Sequence, residues 1–220
     1  MKFLDPTITV DVVIFTIEDG TLKTLIIQRA REPFANSPAL PGGFLLAGET
    51  SKDAALRILR DKAGVDGAYL EQLYTFDDPS RDPRGPIFSV TYFALVPPGE
   101  MTIRETEHTQ RPRLMSAFSL PKLAFDHNKI VSYAIERLQS KVEYTNVTYS
   151  LLPKLFTLTE LQKTYESILG RTLDKRNFRK KFMELGLVEE TDSFSKGGRQ
   201  RPARLHRFTS RKPSQLKKFF

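Results

Sequence analysis

Six polar side chains crowd one short stretch of this 220-residue chain: Lys175, Arg176, Asn177, Arg179, Lys180 and Lys181. Their apolar neighbours Phe178, Phe182 and Leu185 recur at i, i+4 and i+7, so Lys175 to Leu185 is predicted to be a helix with these three facing a core. The cations and the asparagine then point outward. Arginine and asparagine read guanine and adenine edges in the major groove, whereas lysine mostly meets phosphate. The chemistry expected is duplex DNA recognition, with Arg176, Asn177 and Arg179 reading bases and Lys180 holding the backbone, flanked by Lys175. A second cationic run, Lys196-Gly197-Gly198-Arg199-Gln200-Arg201-Pro202-Ala203, suits backbone tracking or minor-groove insertion through Lys196, Arg199 and Arg201. A charged helix face alone is usually a solvated surface. Here a capped helix and a Gly-Arg-Thr turn precede it and an arginine-rich loop follows it, which is a specific pattern.

The charge distribution agrees. The chain carries 34 Lys+Arg against 26 Asp+Glu, a net charge of +8. Residues 148–220 hold 17 of the basic and 7 of the acidic residues, a balance of +10, and leave the remainder at −2. A basic C-terminal third on a mildly acidic body suggests a nucleic-acid-binding appendage. Hydrophobic residues make up 40%, enough for a core, and the absence of cysteine excludes disulfides and thiolate metal sites. No apolar run approaches the roughly 20 residues a bilayer span needs. The first residues lack the apolar segment of a signal peptide, and a cytoplasmic protein is expected.

These residues need elements to position them. Thr7 to Ile17 and Leu22 to Gln28 are predicted strands joined at Glu18-Asp19-Gly20. Thr50 to Ala63 is a predicted helix, with Thr50 as N-cap and Asp53 at N3. Tyr69 to Phe76 and Ile87 to Val96 are strand candidates around a charged loop, Asp77 to Gly85, and Asn128 to Lys141 has helical periodicity. Beyond Tyr144 three short helices are expected, Val147 to Leu155, Leu158 to Leu169 and Lys175 to Leu185. Two short strands, Leu187-Val188 and Leu205 to Phe208, flank the arginine-rich loop. In the second helix Thr157 and Glu160 form a capping box, Phe156 and Leu161 a hydrophobic staple, and Gly170 the stop. Helices followed by a two-stranded wing describe a winged helix-turn-helix. The tail from Ser210 is expected to be loosely ordered.

The stretch Gly43 to Val65, GFLLAGETSKDAALRILRDKAGV, resembles the Nudix box through Gly43, Glu49, Arg57, Leu59, Gly64 and Val65. Where that family presents three glutamates to Mg²⁺ or Mn²⁺, this chain has Ile58, Asp61 and Lys62. The three positions are spaced i, i+3, i+4 and share a helix face. A face with one carboxylate and one ammonium cannot supply the oxygen ligands that hard divalent ions require. No hydrolysis, no metal and no cofactor are expected, and Glu49 and Arg57 are expected to pair as a structural brace.

The whole chain is similar to the Nudix-related transcriptional regulators of NAD metabolism, the NrtR type. The resemblance also runs through Leu123 to His127, Lys141 to Asn146, Phe156 to Gln162, Asn177 to Lys180 and Arg201-Pro202-Ala203. It implies an α+β fold: a Nudix α/β/α sandwich with a mixed sheet over residues 1–143, then a winged helix-turn-helix over 144–220. It implies a homodimeric repressor joined through its Nudix domains, bound to operator DNA and released by ADP-ribose or a related nucleotide. The ligand set it implies is Arg29, Arg31, Gly42, Gly43, Phe44, Glu49, Arg57, Arg81, Asp82, Arg84 and His127. Arginine forks in these loops suit phosphates, and Ser80 to Gly85 is typical of the ADP-ribose branch. Two other readings stay open: an active ADP-ribose pyrophosphatase with a basic appendage, and a sugar-responsive regulator of the same family.

Overall fold

The computed structural model describes residues 6–105, 110–195 and 202–216. They form β1 (Thr7–Glu18), β2 (Thr21–Gln28), β3 (Pro38–Ala39), β4 (Gly42–Phe44), α1 (Ser51–Ala63), β5 (Tyr69–Phe76), β6 (Ile87–Leu95), β7 (Gln110–Ser116) and α2 (His127–Tyr144). A 3-10 turn (Val147–Leu151), α3 (Leu158–Leu169), α4 (Lys175–Glu184), β8 (Val188–Phe194) and β9 (Arg204–Phe208) follow. The chain divides into two compact units, one of Met1–Thr16 and Leu22–Arg137, the other of Ile17–Thr21 and Leu138–Phe220.

The first unit is a mixed sheet in the order β3-β2-β1-β6-β5, with β4 on β1 and β7 on β2. The β1–β6 pair is parallel, from Thr7 opposite Ile87 to Phe15 opposite Leu95. β1 is central and β-branched, and its residues from Val10 to Phe15 are buried. Strand alternation divides its side chains. Val10, Val12 and Ile14 enter a core with Ala54, Ala55, Ile58 and Leu59 of α1, while Thr9 and Asp11 lie on the other face. α1 starts as the sequence predicts, because Thr50 and Asp53 complete a reciprocal capping box, and Gly64 ends it in the left-handed region at φ 63°.

In the second unit Thr157 and Glu160 complete the capping box of α3, and Gly170 stops it. Tyr165 of α3 packs its ring against Phe178 and Phe182 of α4, at 5.4 Å from each. β8 and β9 form the antiparallel wing, with Val188 opposite Phe208.

The structure corrects the sequence reading at four places. The helix expected over Val147 to Leu155 is only a 3-10 turn. Leu152 is extended at φ −118° and ψ 148°, as suits a residue before Pro153. β3 and β4 are too short for periodicity to reveal. β7 is hidden by its composition, Gln-Arg-Pro-Arg. The tail from Ser210 to Leu216 is not loose. Arg211 donates to the carbonyls of Tyr149, Leu152 and Pro153. The Ser214 and Leu216 amides bond Asn146 Oδ1 and the Tyr144 carbonyl.

Candidate ligand pocket and nucleic-acid interface

A cavity of about 390 Å³ opens on the face of β1 away from α1. Its floor is Thr9 and Asp11 of β1 and Ile27 of β2, and Leu40, Gly42, Gly43 and Phe44 form one wall. Arg29 and Arg31 enter from the loop after β2, Arg81, Asp82 and Arg84 from the loop after β5, and Phe125 and His127 from the start of α2. Of the ligand residues expected from the sequence, nine line this cavity: Arg29, Arg31, Gly42, Gly43, Phe44, Arg81, Asp82, Arg84 and His127. Glu49 and Arg57 do not. Arg57 donates through Nε and Nη2 to Glu49, at 2.6 and 2.9 Å, and through Nη2 to the Phe44 carbonyl, so the pair braces the loop before α1. These bonds hold the Glu49 carboxyl at about 2, below its ordinary range.

The three inner arginines have different commitments. Arg81 is buried and forks onto Asp126, at 3.0 and 2.8 Å, with Asp11 3.7 Å away. Arg84 also makes a fork, onto Asp82 at 3.0 and 2.7 Å, but it is partly exposed and lies over Phe44 and Phe125. The bonds from Asp82 raise the pKa of Arg84. Burial works to raise that of Asp82, yet the bonds from Arg84 leave it lowered. Arg29 bonds backbone carbonyls of Pro33 and Arg31 and stacks on Phe125 at 4.6 Å. Burial and then the neighbouring Arg84 lower its pKa, so an added anion relieves it.

His127 is buried and accepts a hydrogen bond from the Leu40 amide at Nδ1, 2.9 Å. Desolvation lowers its pKa, so it is the neutral tautomer with its proton on Nε2, 3.8 Å from Asp11 Oδ2. Asp11 also accepts from Ser89 Oγ at 2.6 Å. Sequence reasoning missed Thr9, Asp11, Ile27, Leu40, Phe125 and Asp126. Asp11 sits inside an apolar run that reads as a strand. A carboxylate in such a run was the available signal.

The box residues do not fit a divalent metal. Ile58 belongs to the core, and its Cδ1 is 4.0 Å from where a Cβ on Gly43 would stand. Lys62 is half-buried, with a pKa lowered by desolvation and partly restored by Asp61. Both Glu49 oxygens are bonded by Arg57. The donor set therefore lacks the oxygens that Mg²⁺ or Mn²⁺ requires.

On α4, Phe178 and Phe182 are buried and Leu185 half-buried, while Lys175, Arg176, Asn177 and Lys180 are exposed. Asp174 caps the helix through the Asn177 amide at 2.8 Å. Arg179 is less free than its neighbours, since its Nη2 donates to Thr159 Oγ1 of α3 at 3.1 Å. Lys196, Arg199 and Arg201 lie outside the described residues. The wing strands add two cations the sequence reading passed over. Arg204 pairs with Glu190, and Arg207 pairs with Glu189.

A cationic pocket on a mixed α/β sheet, followed by a winged helix with an exposed basic recognition helix, is the build of a ligand-sensing DNA-binding regulator. The models of the NUDIX domain and of the NrtR DNA-binding winged helix domain match residues 6–134 and 148–208. The chain is 44% identical over 92% of its length, and 82% of the relative's, to the ADPR responsive transcriptional repressor NtrR of Acinetobacter baylyi. The crystal structure of Shewanella oneidensis NrtR complexed with a 27mer DNA matches 92% of this chain and 93% of its own, at 34% identity and TM-score 0.81. The NUDIX domain of that protein with ADP ribose covers 62% of this chain and 90% of its own, at 36% identity and TM-score 0.56. An ADP-ribose pyrophosphatase of Methanocaldococcus jannaschii is 34% identical over 59% of this chain and 73% of its own. The chain belongs to the NrtR family of Nudix-related transcriptional regulators.

Proposed function

We propose that this protein is a transcriptional repressor that binds operator DNA as a homodimer through its winged helix and lets go when ADP-ribose fills the cavity of the Nudix domain. The observation that carries this reading is the pairing of an arginine-and-aromatic pocket with an outward basic helix in one chain. Arg29 and Arg84 take the diphosphate, with Arg31 at the rim, and Phe44 and Phe125 offer ring faces to the base and its ribose. Gly42 and Gly43 let the backbone approach. Asp11, Asp82 and His127 shape the floor. On DNA, Arg176 and Asn177 read bases, Arg179 does so on leaving Thr159, and Lys175 and Lys180 hold phosphates. Lys196, Arg199 and Arg201 follow the adjoining backbone. The relatives support the choice of DNA and ADP-ribose as ligands. Among the described residues no helix is long and apolar enough to cross a membrane. Action on DNA in the cytoplasm is part of this reading.

The same reading excludes hydrolysis as the working activity, because the box lacks a metal-binding face. The test is a mobility-shift assay on a pseudo-palindromic operator with and without ADP-ribose, beside a turnover assay with Mg²⁺ and Mn²⁺. Sequence-specific binding that ADP-ribose reverses is expected. Turnover above about 1 per second, within the usual enzyme range, would sink the non-enzymatic part of the reading.

A further inference from the structure

The cavity is bordered by paired charges that an anionic ligand must upset. Its lining holds Arg29, Arg31, Arg81 and Arg84 with Asp11, Glu32 and Asp82, and Arg81 reaches outside the lining to Asp126. Arg84 serves Asp82, and Arg81 serves Asp126. Asp82 is 4% exposed, so it cannot be left without a cation at little cost. A diphosphate that draws Arg84 away leaves Asp82 to its remaining charged neighbours, Arg81 and Arg29. Arg81 already serves Asp126 and, at 3.7 Å, Asp11, so a third carboxylate competes with its fork onto Asp126.

Asp126 is the residue on which α2 begins. Its carbonyl accepts from the amides of Lys129 and Ile130 at 2.8 and 3.2 Å, so it holds the first turn of the helix as well as Arg81. α2 runs from His127, in the cavity wall, to Tyr144, and it contains residues of both compact units, the boundary falling between Arg137 and Leu138. A shift at Asp126 therefore acts on the head of a helix whose last turns belong to the DNA-binding unit.

We infer that Arg81 and Asp126 form a positioning pair, by which occupancy of the cavity is passed to α2, and that Arg81 is not itself a ligand-holding cation. The inference rests on the reading of the protein as an ADP-ribose-released repressor. It assigns the transmitting contact within that reading, and coupling through it is a shift between two arrangements of one ion-pair network.

The experiment uses the full chain and its Asp126→Asn and Asp126→Glu variants. ADP-ribose affinity is measured by calorimetry, and operator affinity with and without saturating ADP-ribose. Asp126→Asn is expected to keep both separate affinities within about threefold, while the loss of operator affinity caused by ADP-ribose shrinks by about tenfold, a sizeable part of common allosteric factors. Asp126→Glu restores the coupling. A merely structural Asp126 would lower both affinities or neither, and would not change their ratio. Coupling equal to wild type in Asp126→Asn overturns the inference, as does an ADP-ribose affinity that falls along with the coupling. Hydrogen exchange on the wild type keeps the test independent of variant folding. ADP-ribose should speed exchange at the first turn of α2, residues 127–131, and leave α1 unchanged; equal exchange there overturns the inference. If wild-type protein fails to bind ADP-ribose or operator at all, the repressor reading fails first, and that outcome is separate from a wild type that couples normally through another contact.

Discussion

At the residue scale, Gly42 shows how little room the pocket floor leaves. A Cβ there would stand 2.0 Å from Asp11 Oδ1 and 3.0 Å from the Val10 carbonyl. Asp11 cannot step aside freely, because Ser89, Arg81 and His127 converge on it. Gly42→Ala is therefore expected to destabilise the protein by about 1–3 kcal/mol, the usual range for overpacking, and to weaken ADP-ribose binding while operator binding persists. Denaturant melts beside calorimetry check both parts; an unchanged midpoint would show that Asp11 has another place to go. His127 supports a second expectation at this scale. Its folded pKa lies below 6.5, chiefly through desolvation. Below pH 6.5 the unfolded chain gains a proton at this site before the folded chain does, so the contribution to stability is full above that pH and declines as pH falls through it toward the folded pKa. Melts at pH 7.5 and pH 5.5 should show a larger acid loss for wild type than for His127→Gln, whose amide oxygen can still accept from Leu40. Equal losses would mean that His127 does not titrate between those states.

At the element scale, α4 separates recognition from support. Phe182 is fully buried against Tyr165 and Phe178, so Phe182→Ala should cost about 3–5 kcal/mol and abolish operator binding through loss of the fold. Asn177→Ala should leave melting unchanged, since the Asp174 cap bonds its backbone amide, and cost about 1–3 kcal/mol of operator affinity at one base position. Thermal melts and mobility shifts on the same two variants separate them, and an Asn177→Ala protein with wild-type specificity would remove that residue from base readout. The elements themselves were legible where periodicity or capping is strong. α1 and α3 could be read from Thr50–Asp53 and Thr157–Glu160, and α4 from the spacing of Phe178 and Phe182. β7 was not legible, because Arg111, Pro112 and Arg113 carry no strand preference and the segment is set by pairing with β2, 82 or more residues earlier in the chain. The pocket was legible in its loop arginines, yet their division of labour was not. Nothing in the loop sequence Ser80 to Gly85 shows that Arg81 turns to Asp126 while Arg84 turns to Asp82, since the first partner is 45 residues distant.

At the scale of the whole molecule, the reading requires two equilibria to share one protein. The balance of +10 over residues 148–220 makes operator binding salt-dependent, whereas the pocket holds its charges in partly buried pairs that salt screens less. The two ligands are then joined by linkage. If ADP-ribose lowers operator affinity by a given factor, operator must lower ADP-ribose affinity by the same factor, whatever structural route connects them. Factors of roughly 5–150 are common for such couplings. The expected outcome is that calorimetric titration of ADP-ribose into the preformed protein–operator complex gives a dissociation constant raised above that of the free protein. The rise should match the loss of operator affinity in mobility shifts at zero and saturating ADP-ribose, measured at the same salt. Unequal factors would show that the two assays follow different equilibria, as when release of DNA also dissociates the dimer, and repeating both across protein concentrations distinguishes that case: a dimer equilibrium makes the mismatch depend on concentration, whereas coupling within an intact dimer does not.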